Sequence, residues 1–333
     1  MYSIQVEKMT TSKQILALLR SHIDDDNEQF LSVALQVAAS EARKGHNKLA
    51  TELRDVVEKA RTQKNKKSAR PVPLAQPRGD LGDLVSVSYS DTRLSAMVLT
   101  DKLAERLKRI TVEQRQRHRL AEHGLTPRRK ILLIGPPGAG KTMTASALAG
   151  ELKLPLFTVV FESLITRFMG ETASKLRLLF EAMQQTDGVY FFDEFDAIGS
   201  RRSDTNDVGE IRRVLNSFLQ LLENDDSDGL IIAATNHPEL LDPALFRRFD
   251  DVIEYAMPTP DIAKGILKRR LATFETKGID WDKAIEAAGS LSQADLSRIA
   301  DEAAKRSVLD DRFSITLADI QAAVLDRQHS PRT

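Results

Sequence analysis

The sequence contains no cysteine. Disulfides, thiolate nucleophiles and thiolate-held metals are excluded, and a reducing compartment is the simplest expectation. It has no excess of charge either. The 48 basic residues balance 48 acidic ones, which argues against a surface built as a whole for nucleic acid and leaves only local basic stretches to consider. The six histidines are scattered, without H-E-x-x-H spacing, so no histidine-based metal centre is expected. No apolar run approaches the ~20 residues needed to span a bilayer. The opening Met1-Tyr-Ser-Ile-Gln-Val-Glu-Lys8 lacks the apolar centre of a signal segment. No internal repeat is visible, and protease motifs such as H-E-x-x-H and G-x-S-x-G are missing. A soluble, cytoplasmic chain long enough for two or three domains is expected.

The stretch around which the rest is organised is Ile131-Leu-Leu-Ile-Gly-Pro-Pro-Gly-Ala-Gly-Lys141-Thr142. Four apolar residues read as a buried strand, and Met143 to Leu152 reads as an Ala- and Leu-rich helix. Between them, Gly135, Pro136, Pro137, Gly138, Ala139 and Gly140 form a loop of little side-chain bulk. Strand, glycine loop, Lys-Thr and helix match the phosphate-binding pattern G-x-x-x-x-G-K-[ST]. Glycines let backbone N–H groups approach phosphate oxygens, and a helix N-terminus adds a positive field. Lys141 is placed to reach the β and γ phosphates of ATP, and the Thr142 hydroxyl to bind Mg2+. Met143 adjoins them.

Before this stretch, residues 1–62 read as a helical bundle. Val33, Ala34, Val37 and Ala38 fall on one helical face, and Leu49, Leu53, Val56, Val57 and Ala60 are expected to point inward on the last helix. The bundle holds no catalytic constellation, and docking of a partner or substrate is its expected role. Residues 63–90 read as a basic, proline-containing linker. A long charged helix from Asp101 to about Glu122 follows. Residues 91–259 then alternate strands with helices: strands at 157–161, 189–193, 230–236 and 251–255, helices at 174–185 and 207–223. Such alternation means a parallel sheet covered on both faces. Residues 260–333 contain only helical patterns and read as a separate lid.

The strand Val189-Tyr-Phe-Phe-Asp193 ends in a second carboxylate, Glu194. After a phosphate loop, Asp193 is expected to hold Mg2+ and Glu194 to polarise the attacking water. Asn236 ends the next strand, where an amide can position that water.

Taken together, Gly135–Thr142, Asp193-Glu-Phe-Asp196, Ala234-Thr-Asn236 and Leu241-Asp-Pro-Ala-Leu-Phe-Arg-Arg-Phe-Asp250 resemble the AAA ATPases, a family of severing enzymes, unfoldases and protease-coupled motors. The resemblance covers about residues 91–325. It implies an α/β P-loop core with a C-terminal all-α lid, assembled as a homo-hexameric ring. It implies an arginine finger at Arg248, directly before Phe249-Asp250, with Arg247 as a second candidate. It implies lid contacts to adenine from Ile266 and Ala294. It also implies a polypeptide-gripping pore loop at Phe168, Met169 and Gly170, and a second pore loop between Gly199 and Gly209. Two positions depart from many relatives: Gln293 stands where a glycine is common, and Arg270 where a histidine is. A protein-remodelling motor, with a separately encoded protease as one possible partner, is the leading expectation. A nucleic-acid motor, suggested by the basic linker and Arg128-Arg129-Lys130, and an ATP-switched scaffold are the alternatives.

Overall fold

The computed structural model describes residues 80–160, 164, 169–198 and 207–329, with scattered helical positions between 33 and 57. In that N-terminal stretch Val33, Ala34, Ala38, Ala50 and Val57 are buried, whereas Leu49, expected inward, is exposed. Val57 is thus inward as expected, and at the start of that helix Ala50 takes the buried place expected for Leu49. Leu53, Val56 and Ala60 lie outside the described residues.

From Asp80 onward the chain builds a single six-stranded sheet. Helix α1 (Asp80–Leu84) leads into strand β1 (Val85–Ser88). Helices α2 (Asp101–Arg115) and α3 (Arg117–Glu122) precede β2 (Lys130–Ile134). The single long helix expected here is divided at Gln116, whose φ of −105° and ψ of 20° leave the helical region. Helix α4 (Lys141–Leu152) is followed by β3 (Leu156–Val159), α5 (Met169–Gln185) and β4 (Val189–Phe192). Then come α6 (Asp207–Asn224), β5 (Leu230–Thr235), the short α7 (Pro243–Phe246) and β6 (Asp251–Glu254).

The strand order is β1-β3-β4-β5-β2-β6. All pairings are parallel except β1 with β3, which run antiparallel with Val85 opposite Val159. Residues 80–88, expected to be extended linker, are thus a short helix and, at Val85–Ser88, an edge strand of the sheet. Leu84 and Val85 are buried in its core.

Side-chain alternation explains why both faces are dry. Leu132, Ile134, Phe157, Tyr190, Phe192 and Ile231 point to one face, where α5 and α6 supply Leu176, Phe180, Phe218 and Leu222. Ile131, Leu133, Val189, Phe191, Leu230 and Ile232 point to the other, against Leu107 and Ile110 of α2 and Ala145, Leu148 and Ala149 of α4. Strands β4 and β5 are buried at every position, the pattern of central strands covered on both sides.

Beyond the sheet, α8 (Pro260–Arg270), α9 (Trp281–Ala288), α10 (Gln293–Leu309) and α11 (Leu317–His329) close around a separate apolar cluster of Ile266, Leu267, Leu296, Ile299, Ala303 and Ile320. Local capping sets their starts. The side chains of Thr259, Asp280 and Ser292 accept from the backbone N–H groups of Ile262, Lys283 and Asp295. Among the described residues no helix is long and apolar enough to cross a membrane.

Candidate nucleotide site

Strand β2 delivers Gly135 at its C-terminal end, and the chain turns through Gly140 into α4. Two glycines there are set by their neighbours. Gly135 has φ +148°, and a Cβ on it would fall 2.4 Å from the Tyr255 carbonyl oxygen. Gly138 has φ +73°, and a Cβ would fall 2.6 Å from Ser292 Oγ. No residue with a side chain fits either place without displacement.

Lys141, the first residue of α4, is buried. Its ammonium donates to Gly135 O at 2.7 Å, Pro136 O at 3.0 Å and Asn236 Oδ1 at 2.7 Å. All three donors are used. Burial lowers its pKa from the usual lysine value, and Asp193 and Asp196 pull it partly back. Thr142 turns its hydroxyl to Asp193, donating to Oδ2 at 2.9 Å. The next residue, Glu194, is exposed and takes φ +51°, while its N–H donates to Asp193 Oδ1 at 3.0 Å. A left-handed backbone at a non-glycine residue costs about 1–2 kcal/mol, and such strain concentrates where function fixes geometry. The structure thus gathers Lys141, Thr142, Asp193, Glu194 and Asn236 at the C-terminal ends of β2, β4 and β5, outside which open α/β sheets place their ligands.

Four supporting residues were given no role by the sequence reading. Asp196 accepts from the Thr235 hydroxyl at 2.8 Å and from the Asn236 N–H at 3.4 Å, tying the end of β5 to the turn after β4. The DExD spacing is its visible signal. Tyr255, directly after β6, meets Thr144 Oγ1 at 2.5 Å, and that hydroxyl donates to Gly140 O at 3.0 Å. Burial pushes the Tyr255 phenol up to about 12, and the Thr144 hydrogen bond works against that rise. Met97 and Val98 fill the space between loop and helical unit: Met97 neighbours Gly140, and Val98 packs beside Gly265. Neither Tyr255 nor the Met97-Val98 pair carries a sequence signal of its own.

The other expected positions lie as follows. Ala294 N donates to Gly138 O at 3.1 Å, so the lid touches the loop directly. Gln293 lies against Gly140. Ile266 is buried in the lid cluster, and Met143 is exposed. Arg270 forms a two-point pair with Asp301, at 2.6 and 2.9 Å, within the lid. Arg248 bonds Glu223, and Arg247 is exposed. Phe168 and residues 199–206 lie outside the described residues. Met169 and Gly170, expected in a loop, form the start of α5 instead, and α6 begins at Asp207, so Gly209 is helical.

A glycine loop whose cradle admits no side chain, a buried lysine, and a threonine–carboxylate pair on a mostly parallel sheet define a P-loop nucleoside triphosphatase. Residues 131–257 match the family described as ATPase family associated with various cellular activities (AAA). An uncharacterized AAA family ATPase of Sinorhizobium fredii, y4kL, is 33% identical over 323 residues, 96% of this chain and 96% of that protein. The chain belongs to the AAA family and is an ATPase. The proteasome-activating nucleotidase of Pyrococcus horikoshii is 39% identical over 210 residues, 61% of this chain and 53% of the nucleotidase. That of Methanococcus maripaludis is 36% identical over 208 residues, 60% of this chain and 51% of the nucleotidase. The chain therefore spans about half the length of those two relatives. The crystal structure of the FIGL-1 AAA domain shares the fold, with a TM-score of 0.59, 24% identity, and coverage of 80% of this chain and 93% of that one.

Proposed function

We propose that this ATPase is a protein-remodelling motor that works as a ring on polypeptide substrates in the cytoplasm. The observation that carries its hydrolytic half is the joining of Lys141 to Asn236 and of Thr142 to Asp193 around one loop. The likeness to nucleotidases named for activating a proteasome supports its polypeptide half.

The residues fit ATP with Mg2+. The loop leaves backbone N–H groups free of side-chain bulk, and a hydroxyl beside a carboxylate suits a hard cation. When bound, Mg2+ would neutralise charge on the β and γ phosphate oxygens. In this reading Lys141 exchanges the carbonyls of Gly135 and Pro136 for phosphate oxygens. Gly138, Ala139 and Gly140 offer backbone N–H groups to the phosphates, and Pro136 and Pro137 stiffen the turn. Thr142 and Asp193 hold the metal. Glu194 takes the proton of the attacking water, and Asn236 orients that water. Arg248, with Arg247 beside it, serves the site of a neighbouring copy. Ile266 and Ala294, with Met143, border the base. Phe168, Met169 and Gly170 grip the polypeptide, and a separately encoded protease is a candidate partner.

Of the two stretches that suggest a nucleic-acid motor, the basic residues of the linker lie outside the described residues, and Arg128-Arg129-Lys130 is engaged within the chain. Arg128 lies near Glu113 and Asp251, Arg129 is paired with Asp225, and Lys130 Nζ donates to Leu222 O. Three cations engaged with their own chain offer little to a phosphate backbone.

Substituting Phe168→Ala tests the polypeptide half. The basal ATPase rate is retained, and stimulation by an unfolded protein is lost. Undiminished stimulation contradicts the reading, and a salt-sensitive stimulation by DNA replaces it with the nucleic-acid motor.

A further inference from the structure

We propose that Glu223 is a positioning residue for Arg248, setting the direction in which that guanidinium leaves the subunit. The proposal rests on the reading of Arg248 as the arginine that serves an ATP site.

Two segments meet here, and both are anchored on the same dipeptide, Arg129-Lys130 at the start of β2. The end of α6 is held by Lys130 Nζ on Leu222 O and by Arg129 on Asp225. The segment carrying Arg248 is held by Asp250, whose Oδ2 accepts from Arg129 N at 2.8 Å and Lys130 N at 2.9 Å. Asp250 N donates back to Lys130 O at 2.8 Å. Phe249 is buried in the core, and Arg248 N donates to Leu245 O at 3.0 Å. The backbones bearing Glu223 and Arg248 are thus fixed relative to each other.

Across that fixed gap, Arg248 Nε donates to Glu223 Oε2 at 3.1 Å. Contact through Nε is the informative detail. It steadies the guanidinium from its inner edge, and among the described residues no further hydrogen bond engages its two terminal Nη groups. Those groups form the fork that meets a phosphate in two-point fashion. The pair is weak enough to yield to substrate, since Glu223 is 57% and Arg248 34% exposed. Exposed ion pairs contribute little to stability, so removing Glu223 should loosen the aim of Arg248 without loosening the fold.

The experiment compares ATP turnover by the full chain and its Glu223→Ala, Glu223→Gln, Arg248→Ala and doubly substituted variants, with melting temperature and ATP KM measured alongside. Arg248→Ala is expected to lower kcat about 10³-fold, the lower end for a lost arginine finger. Glu223→Ala should lower kcat about tenfold, the scale of a modest misplacement, with KM and melting temperature unchanged. Glu223→Gln, which keeps an oxygen for Nε–H, should recover most of that loss. In the Arg248→Ala background, Glu223→Ala should cost nothing further. An unchanged or raised kcat in Glu223→Ala overturns the proposal, as do losses that multiply in the double variant. If Arg248→Ala itself leaves kcat intact, the arginine reading fails first and the positioning role falls with it.

Discussion

The backbone nitrogen of Ala294 donates to the carbonyl oxygen of Gly138 across 3.1 Å. Through this one bond the first turn of α10 is joined to the phosphate loop, and Ser292 and Gln293 crowd the same loop. The helical unit is therefore placed to sense how the loop is filled.

The same crowding sets an order of sensitivity. At Gly135 an added methyl meets backbone and Cβ of Tyr255, which cannot turn aside, whereas at Gly138 it meets side-chain atoms, the Ser292 hydroxyl that caps α10 and the Cβ atoms of Ser292 and Ala294. Gly135→Ala is expected to destabilise by about 1–3 kcal/mol through overpacking. Gly138→Ala should cost about 1–2 kcal/mol through its left-handed backbone and weaken ATP binding by disturbing the lid contact. Melting curves and ATP titration check both, and the reverse order of stability would contradict the packing assigned to Tyr255.

Asp196 is expected to act on turnover through Asn236. Its carboxylate accepts from Thr235 Oγ1 and Asn236 N, so Asp196→Ala frees the end of β5. We expect ATP binding to persist and kcat to fall about 10–100-fold, the range for a displaced positioning group. Equal losses in binding and turnover would show that Asp196 merely supports the fold.

The lid should weaken in acid. Asp319 Oδ1 and Oδ2 accept from Arg312 at 2.9 and 3.0 Å, and Oδ2 also accepts from the Thr316 N–H and hydroxyl at 2.9 and 2.7 Å. The Arg312 bonds hold this carboxyl well below the usual carboxylate range; burial opposes them, and Thr316 adds to them. Because the folded-state pKa is depressed, the ionised group favours the folded state. That contribution is full above about pH 4 and is lost as pH falls further. Asp319→Asn is expected to lower the melting temperature at neutral pH by about 2–4 °C. The gap between variant and parent should shrink below about pH 4, whereas a pH-independent gap would contradict the role of its charge.

The phosphate loop, the Asp193-Glu194 strand end and Asn236 were legible because each motif pairs a residue type with a strand terminus, and the strands themselves are continuous apolar runs. The alternation of Val85-Ser-Val-Ser88 was also present, but nearby prolines disguised an edge strand whose partner, β3, lies far along the chain. Glu223 and Tyr255 could not be read at all. Each acts through a contact that only the folded chain creates, Glu223 with Arg248 and Tyr255 with Thr144. The helical start at Met169 was missed because the family resemblance placed Met169 and Gly170 in a pore loop, while the apolar face that carries α5 begins further on with Leu176.

The most direct test of the central claim is single-site ATP turnover by Glu194→Gln, measured together with ATP retention. Glu194 follows Asp193 at the end of β4 and holds a left-handed backbone there. An amide cannot take a proton from water. The account predicts ATP retained at near-normal affinity and turnover reduced by at least about 10²-fold, the lower bound for a lost general base. Near-normal turnover with ATP bound would contradict it.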